Sequence, residues 1–374
     1  MRLTIDHRCT DFDSYRAARV KSLFNVESGA NFALEADLDI EGAPWQIGVI
    51  VGPSGSGKTS LGRAIWGADA LWQPAWPSDA PIIDAITPAG SFDDATGALA
   101  SVGLGSVPTW LRPHQVLSNG EQFRANLARL IAEAPPRAVL DEFSSVVDRQ
   151  IAQIGAGAFA KAWRRTKGQA VLLSCHYDVL DWLQPDWVYD TATGRFTRGC
   201  LWRRPRIDVD VWQTGWEHWP AFEPHHYLRL PKMIAATNYV ATVDGQLVAH
   251  VAVSTRAGLR EARACRLVVM PEWQGAGVGL RFLDHVCERW RLGDNRYARP
   301  MLSLFHTSHP GLASALRRSP RWTQVSANLV GESKARSIAS LAASAQRYGY
   351  QSAGSGWGGH FRAVQGFRYL GDPA

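Results

Sequence analysis

The sequence predicts an α/β protein in two parts, a first half in which short buried strands alternate with helices and a second half of the α+β kind. Three stretches predict it. Residues 46–60, QIGVIVGPSGSGKTS, carry the apolar run Ile47–Val51 straight into a glycine-rich turn and a helix start at Ser60. Residues 138–142, AVLDE, place a second short apolar strand ahead of two carboxylates. From Asn238 the pattern changes to YVATVDG and QLVAHVAVST around a turn at Asp244 and Gly245, followed by ACRLVVMP, a second glycine-rich turn and an amphipathic helix.

At 374 residues the chain is long enough for two domains, each with its own core. No apolar run approaches the roughly 20 residues that cross a bilayer, and MRLTIDHRCT lacks a signal-peptide core, so the expected location is cytoplasmic. The five cysteines (Cys9, Cys175, Cys200, Cys265 and Cys287) never form a CxxC pair, so neither a disulfide framework nor a zinc site is expected. The net charge of +6 is unevenly placed, with 17 basic against 22 acidic residues over 1–195 and 23 against 12 over 196–374. The second half is therefore the basic one, and its field suits an anionic partner such as nucleic acid or a cofactor's phosphates.

The first glycine-rich turn has the chemistry of a phosphate-binding loop. Gly52, Gly55 and Gly57 let backbone N–H groups, with Ser54 among them, face an anion, and the helix after Ser60 points its positive end the same way. Lys58 reaches β and γ phosphates in this pattern, and the hydroxyl of Thr59 holds Mg²⁺. Asp141, at the end of an apolar strand, is the second expected Mg²⁺ ligand, and Glu142 is placed to orient an attacking water. VLLSCHYDVLDWL supplies a further buried strand ending at His176. Tyr15 or Phe24 could stack on a base, although either also reads as plain core.

In this order the motifs resemble those of the ATP-binding cassette (ABC) ATPase family over roughly residues 15–195. GPSGSGKTS resembles its Walker A motif, LSNGE its signature, AVLDEF Walker B, SVVD with Asp148 the D-loop, and His176 the switch histidine. The resemblance implies ATP and Mg²⁺ as cofactors and a head-to-tail homodimer, with nucleotide clamped between one copy's Walker A and the other's Ser118 and Gly120. It also makes Gln73 the candidate Q-loop glutamine, toward nucleotide and metal. Asn119 and Glu121 depart from the usual signature, and Phe143 stands where the family commonly has proline. The stretch between Walker A and the signature is short for a transporter cassette.

Residues 194–232 are rich in Arg, Trp, Pro and His, and a boundary is expected near 197–206, giving domains 1–198 and 199–374. His225, His226 and Tyr227 suggest a structural or substrate-contacting role rather than a metal site. In the second half, VVMPEWQGAGVG resembles the acetyl-CoA-binding motif of the GNAT acetyltransferase superfamily, with Gln274, Gly277 and Gly279 on its fixed positions and Gly275, Ala276 and Val278 between them. The resemblance implies a mixed central sheet, acetyl-CoA as donor, and a strand from Arg266 to Met270, including Val268, along the pantetheine arm. No general base announces itself among Glu261, Glu272, His306, His309 and Tyr369. Arg296, Arg299, Arg317, Arg318, Arg321, Lys334 and Arg336, interleaved with Trp322, could line a groove for a phosphate backbone. SAGSGWGGH, with Gly354 to Gly359, reads as a loop near the site.

The expectation is an ATP-hydrolysing protein fused to an acyl-CoA-dependent N-acetyltransferase, acting on nucleic acid or on something bound to it. Two alternatives stand beside it. One is an ABC-type clamp or sensor whose second half is a binding module; the other is an acetyltransferase for a protein or small amine, regulated by ATP.

Overall fold

The computed structural model describes residues 1–8, 11–25, 31–199, 202–227, 232–233, 235–255, 260–328, 343, 346 and 363–372. Its strands are β1 (Arg2–Arg8), β2 (Asn31–Asp37), β3 (Ile47–Val51), β4 (Arg137–Leu140), β5 (Gln169–Ser174), β6 (Trp187–Asp190), β7 (Arg195–Arg198), β8 (Asp210–Thr214), β9 (Thr237–Val243), β10 (Gln246–Thr255), β11 (Glu261–Val269), β12 (Leu302–Thr307), β13 (Trp322–Asn328) and β14 (Val364–Tyr369). The longer helices are α1 (Tyr15–Phe24), α2 (Lys58–Trp66), α3 (Phe92–Ser101), α4 (Asn119–Glu133), α5 (Arg149–Trp163), α6 (Val278–Leu292) and α7 (Pro310–Arg318).

The chain forms two compact units that are not its linear halves. One comprises Met1–Ala75 and Glu133–Pro205, the other Trp76–Ala132 and Arg206–Ala374. The segment between the phosphate loop and β4 therefore packs with the second half of the chain. Sequence order alone places it in the first.

In the first unit a five-stranded sheet has the order β4-β5-β3-β6-β7. Its first four strands are parallel and β7 is antiparallel to β6. All five residues of β3 are buried, as a central parallel strand covered on both faces requires. A separate antiparallel pair, β1 with β2, lays Ile5 and Ala36 into the same core as Trp45, Ile50, Leu61, Val139 and Leu173. Helix α1 lies between those two strands and begins at Ser14, whose hydroxyl accepts from the Ala17 N–H. No sequence pattern marks this helix. It buries none of its residues, so it shows little of the apolar periodicity that marks a helix in sequence.

The second unit holds a seven-stranded sheet in the order β13-β14-β12-β11-β10-β9-β8. It is mixed, because β11 and β12 are parallel while the other pairs are antiparallel. The β9–β10 turn has Asp244 at φ 49° and Gly245 at φ 79°, the left-handed pair that a two-residue hairpin demands. Helix α6 buries Val278, Phe282, Leu283, Val286, Cys287 and Trp290. Within the same unit α7 packs against α3. Helix α3 starts with a capping box in which Ser91 and Asp94 satisfy each other's backbone N–H groups.

His250 on β10 is fully buried, with the rings of Trp219, Phe222 and Trp216 at 5.0, 5.5 and 6.0 Å. Burial pushes its imidazole down to about 4, against the hydrogen bond to the Arg266 carbonyl and helped by the charges of Arg266, His226 and His218. The unfolded chain, titrating at the ordinary 6.5, takes up a proton between those two values that the folded chain refuses. Stability is therefore fully present above pH 6.5 and falls by up to about 3 kcal/mol as the pH drops toward 4. Thermal melts of the wild type and His250→Leu across this window should show a steeper acid loss in the wild type; parallel curves would contradict the burial argument.

Candidate functional site

A candidate nucleotide site lies at the carboxyl ends of the parallel strands, where an open α/β sheet binds ligands. β3 feeds the turn at 52–57, β4 delivers Asp141 and Glu142, and β5 delivers Cys175 and His176. A cavity of about 320 Å³ is lined by His7, Ser54, Gly55, Gly57, Lys58, Thr59, Ser60, Asp141, Glu142, Ser145, Leu173 and Cys175.

The turn is held in a cradle shape. Gly52, Gly55 and Gly57 all have positive φ, at 151°, 77° and 84°, which side-chain-bearing residues rarely adopt. Ser56 pins it by sharing a 2.6 Å hydrogen bond with Thr191, the residue after β6. Lys58 Nζ donates to the carbonyls of Gly52 and Pro53 at 2.8 and 2.6 Å, so its ammonium already lies across the mouth of the loop. The Thr59 hydroxyl donates to Asp141 Oδ1 at 3.2 Å, and the same oxygen accepts the Glu142 N–H at 2.9 Å. A hydroxyl and a carboxylate side by side, facing a lysine and a cradle of N–H groups, fit Mg²⁺ and the phosphates of ATP. The bound ion would supply charge neutralisation; the chain's own groups would supply the ligands and orient a water through Glu142.

Glu142 at φ 50° and Ser144 at φ 68° make a tight left-handed bend directly after Asp141. Strain of this kind costs about 1–3 kcal/mol per residue and concentrates at functional sites. The bend is secured by the Phe143 N–H, which donates to the Leu173 carbonyl at 2.8 Å, and by Ser174, which donates to the Phe143 carbonyl at 3.1 Å. A proline at 143 would lose the first of these bonds, and buried Phe143 also meets the Phe159 ring at 6.3 Å. The departure from the family pattern therefore has a local reason.

His176 does not line the cavity. Its Nδ1 lies 3.4 Å from the Ser144 hydroxyl, and burial, aided by Arg149 and opposed by Asp178, holds the imidazole below its ordinary pKa and hence neutral. Gln73 is exposed, two residues beyond the bridge between Leu71 and Val139, and also lies outside the lining. Asp148 caps α5 by accepting the Ile151 N–H at 2.9 Å. His7 is the residue sequence reasoning missed: its Nε2 is 2.7 Å from the Ser60 hydroxyl. It sits on β1, far from every motif, and nothing local marks it. Tyr15 and Phe24 are 78% and 71% exposed and do not line the cavity.

Ser118 and Gly120 belong to the second unit. Glu121 accepts from the Ser118 N–H and hydroxyl, both at 2.9 Å, and from the Thr109 hydroxyl at 2.6 Å. Burial raises its carboxyl, but these bonds outweigh it and hold the pKa below the usual value. The unusual glutamate thus builds the start of α4 as a capping box. Glu121→Ala should cost about 1 kcal/mol, read as a lowered melting temperature.

The second candidate site lies where β11 and β12 part. They pair only from Glu261–Ala264 to Leu302–Phe305, whereas β11 pairs with β10 as far as Val269. One extra residue bulges from β11 between the partners of His250 and Ala252, at Arg266 with φ 55°. Among the described residues no strand continues the β12-side pairing along Cys265–Val269, and this open edge fits an extended ligand arm, with the Val269 carbonyl already accepting from Gln274 and the Val268 peptide groups, in register with His250, turned toward β10. Met270, past the strand end, donates its N–H to the Val248 carbonyl at 2.9 Å. Gly275 and Gly277 then turn the chain at φ 94° and 82° into α6, whose first N–H groups, at Val278 and Gly279, face outward along its axis. This fits the pyrophosphate of a CoA ester.

The Gln274 side chain has another task. Its Nε2 donates to the Val269 carbonyl and its Oε1 accepts the Gly105 N–H, both at 3.0 Å. His309 is occupied too, since its Nδ1 accepts the Leu312 N–H at 3.2 Å and its Nε2 lies 3.0 Å from the Gly105 carbonyl. Tyr369 packs on Trp322, and burial first, with Glu288 and Asp284, pushes its phenol up to about 12. Neither is poised as a base. Among the described residues no group of three or more His, Cys, Asp and Glu could hold a metal.

A family model described as "Acetyltransferase (GNAT) family" matches residues 179–299. The cytochrome c biogenesis ATP-binding export protein CcmA of Rhodospirillum rubrum is 32% identical over 177 residues, 39% of this chain and 75% of the relative. The zinc import ATP-binding protein ZnuC of Jannaschia sp. is 34% identical over 175 residues, 41% of this chain and 70% of the relative. An ATP-binding cassette dimer in a post-hydrolysis state with ADP and Pi matches at 14% identity over 52% of this chain and 98% of that one, with a TM-score of 0.35, too low to add to the assignment. The chain is an α/β ATPase that also carries a GNAT acetyltransferase domain. It belongs to the ABC family of ATP-binding proteins.

Proposed function

We propose that this protein is an ATP-gated, acyl-CoA-dependent N-acetyltransferase, with an ATPase domain over residues 1–198 and an acetyltransferase domain over 199–374. What carries the reading is that two separate strand–glycine turn–helix cradles occur in one chain. The first has a lysine and a Thr59–Asp141 pair beside it, and the second has neither and follows a bulged strand. The first suits a triphosphate with Mg²⁺, the second a pyrophosphate with an extended arm. At the second, an acceptor nitrogen would attack the thioester carbon. The C–S bond breaks, and CoA leaves as the thiol with the proton given up by the amine.

The ATPase is read as working as a homodimer, in which a second copy of this chain brings exposed Ser118 and half-buried Gly120 over the phosphates. Glu142→Gln should then form a dimer on size exclusion in ATP and Mg²⁺ but not in ADP; a monomer in both would contradict it. Among the described residues no helix is long and apolar enough to cross a membrane, and the protein is read as cytoplasmic.

Nucleic acid is the acceptor class favoured by the excess of basic residues after position 195. Not all of the expected groove is available, because Arg321 pairs with Asp284 and Asp372 and Trp322 is buried against Asp284. Arg299, Arg317 and Arg318 are exposed, with Arg317 and Arg318 on α7, and Arg296 stacks on Tyr297. Lys334, Arg336 and the 354–359 glycines lie outside the described residues. Radiolabelled acetyl-CoA, incubated with the protein, ATP and cell extract at low salt, should transfer label into nuclease-sensitive material. Label found only in protease-sensitive material or small amines would move the acceptor to the alternative class, and CoA binding with no transfer at all would favour a clamp with a binding module.

A further inference from the structure

The residues between the phosphate loop and β4 do more than carry the signature. Arg124 lies on α4, four residues after Gly120, and is only 3% exposed. Its Nη1 donates to the carbonyls of Gly103 and Gln274 at 2.6 and 2.8 Å, and its Nη2 to that of Glu272 at 3.3 Å. The latter two carbonyls belong to the turn that enters the acyl-donor cradle. The 103–105 loop grips the same turn independently, through the Gly105 N–H on Gln274 Oε1 and the His309 ring on the Gly105 carbonyl. The fit is close, since a Cβ on Gly103 would lie 2.2 Å from the Gln274 carbonyl oxygen.

We infer that Arg124 is a positioning residue for acyl-CoA, tying the signature end of α4 to the turn that receives the donor's pyrophosphate. A buried guanidinium cannot be left short of acceptors without a large penalty, so helix and turn move together rather than slide. Any shift of α4 when Ser118 and Gly120 engage nucleotide is passed to Glu272 and Gln274, six and four residues ahead of α6. The coupling is reciprocal, so acetyl-CoA must change the affinity for ATP by the same factor as ATP changes that for acetyl-CoA. This inference rests on the two-cofactor reading above and adds the residue that links the sites.

The test is calorimetry of acetyl-CoA binding to the full-length protein, with and without ATP and Mg²⁺, for wild type, Arg124→Met, Arg124→Lys and Gly103→Ala. In the wild type ATP should shift the acetyl-CoA Kd several-fold. Arg124→Met should weaken acetyl-CoA about tenfold or more and erase the ATP effect. Arg124→Lys, which can still reach a carbonyl, should recover part of both, a rescue that a merely structural defect would not show. Gly103→Ala forces the loop off the turn without touching a charge, so it should weaken acetyl-CoA even where Arg124→Met does not fold. Equal acetyl-CoA affinities in wild type and folded variants, or an ATP effect that survives them, would overturn the inference while leaving both sites intact. A wild type that binds no acetyl-CoA would remove the underlying reading as well.

Discussion

Lys58→Ala should lose ATP binding by at least about 100-fold, together with all turnover. The ammonium lies within 2.8 Å of two loop carbonyls and covers the cradle formed at positive φ by Gly52, Gly55 and Gly57. It is the sole lysine or arginine among the residues lining the cavity. Each charge-assisted bond to phosphate is worth about 1.5–3 kcal/mol, and two of them reach the stated loss. Glu142→Gln should behave differently. The amide keeps the shape of the strained bend but cannot take a proton from water, so binding persists while hydrolysis falls about 10²- to 10⁴-fold. Titration with a fluorescent ATP analogue, beside a phosphate-release assay, separates the two. Equal losses of binding in both variants would show that Glu142 holds the loop rather than the water.

Gly277→Glu should abolish acetyl-CoA binding, a loss of about 100-fold or more, and lower the melting temperature by about 2–12 °C while the protein stays folded. A Cβ at 277 meets nothing within 4 Å, so the new side chain has room. That room lies at the N-terminus of α6, where the donor's pyrophosphate is expected, and the glutamate brings a negative charge to it. The φ of 82° adds strain for any side chain, costing about 1–3 kcal/mol of stability. Gly277→Ala carries the strain without the charge. If it blocks acetyl-CoA as fully as Gly277→Glu, the turn's conformation matters and not its potential for anions.

Both cradles were legible in the sequence because their chemistry is local. A strand, a glycine turn and a helix start within fifteen residues announce themselves through spacing alone, and β3, α2, β11 and α6 lie within a few residues of where the pattern puts them. The hairpin at Asp244 and Gly245 was readable for the same reason. His7 was not, since its place beside Ser60 depends on β1 pairing with β2 and packing on α2. Gln274 is subtler. Its position in a motif suggested a ligand contact, but its side chain answers to Gly105, a residue 169 places earlier, and no periodicity reports such a bond. The grouping of Trp76–Ala132 with the second half is hidden likewise, because Arg124 looks in sequence like one more polar position on an amphipathic helix.

Mass spectrometry of nucleosides tests the proposed acyl transfer to nucleic acid most directly. DNA and RNA would be digested from cells making the wild type and from cells making Gly277→Glu. An acetylated nucleoside present with the wild type and missing with the variant is the predicted result. Identical nucleoside profiles in the two, with both proteins folded and the wild type binding acetyl-CoA, would contradict the nucleic-acid acceptor.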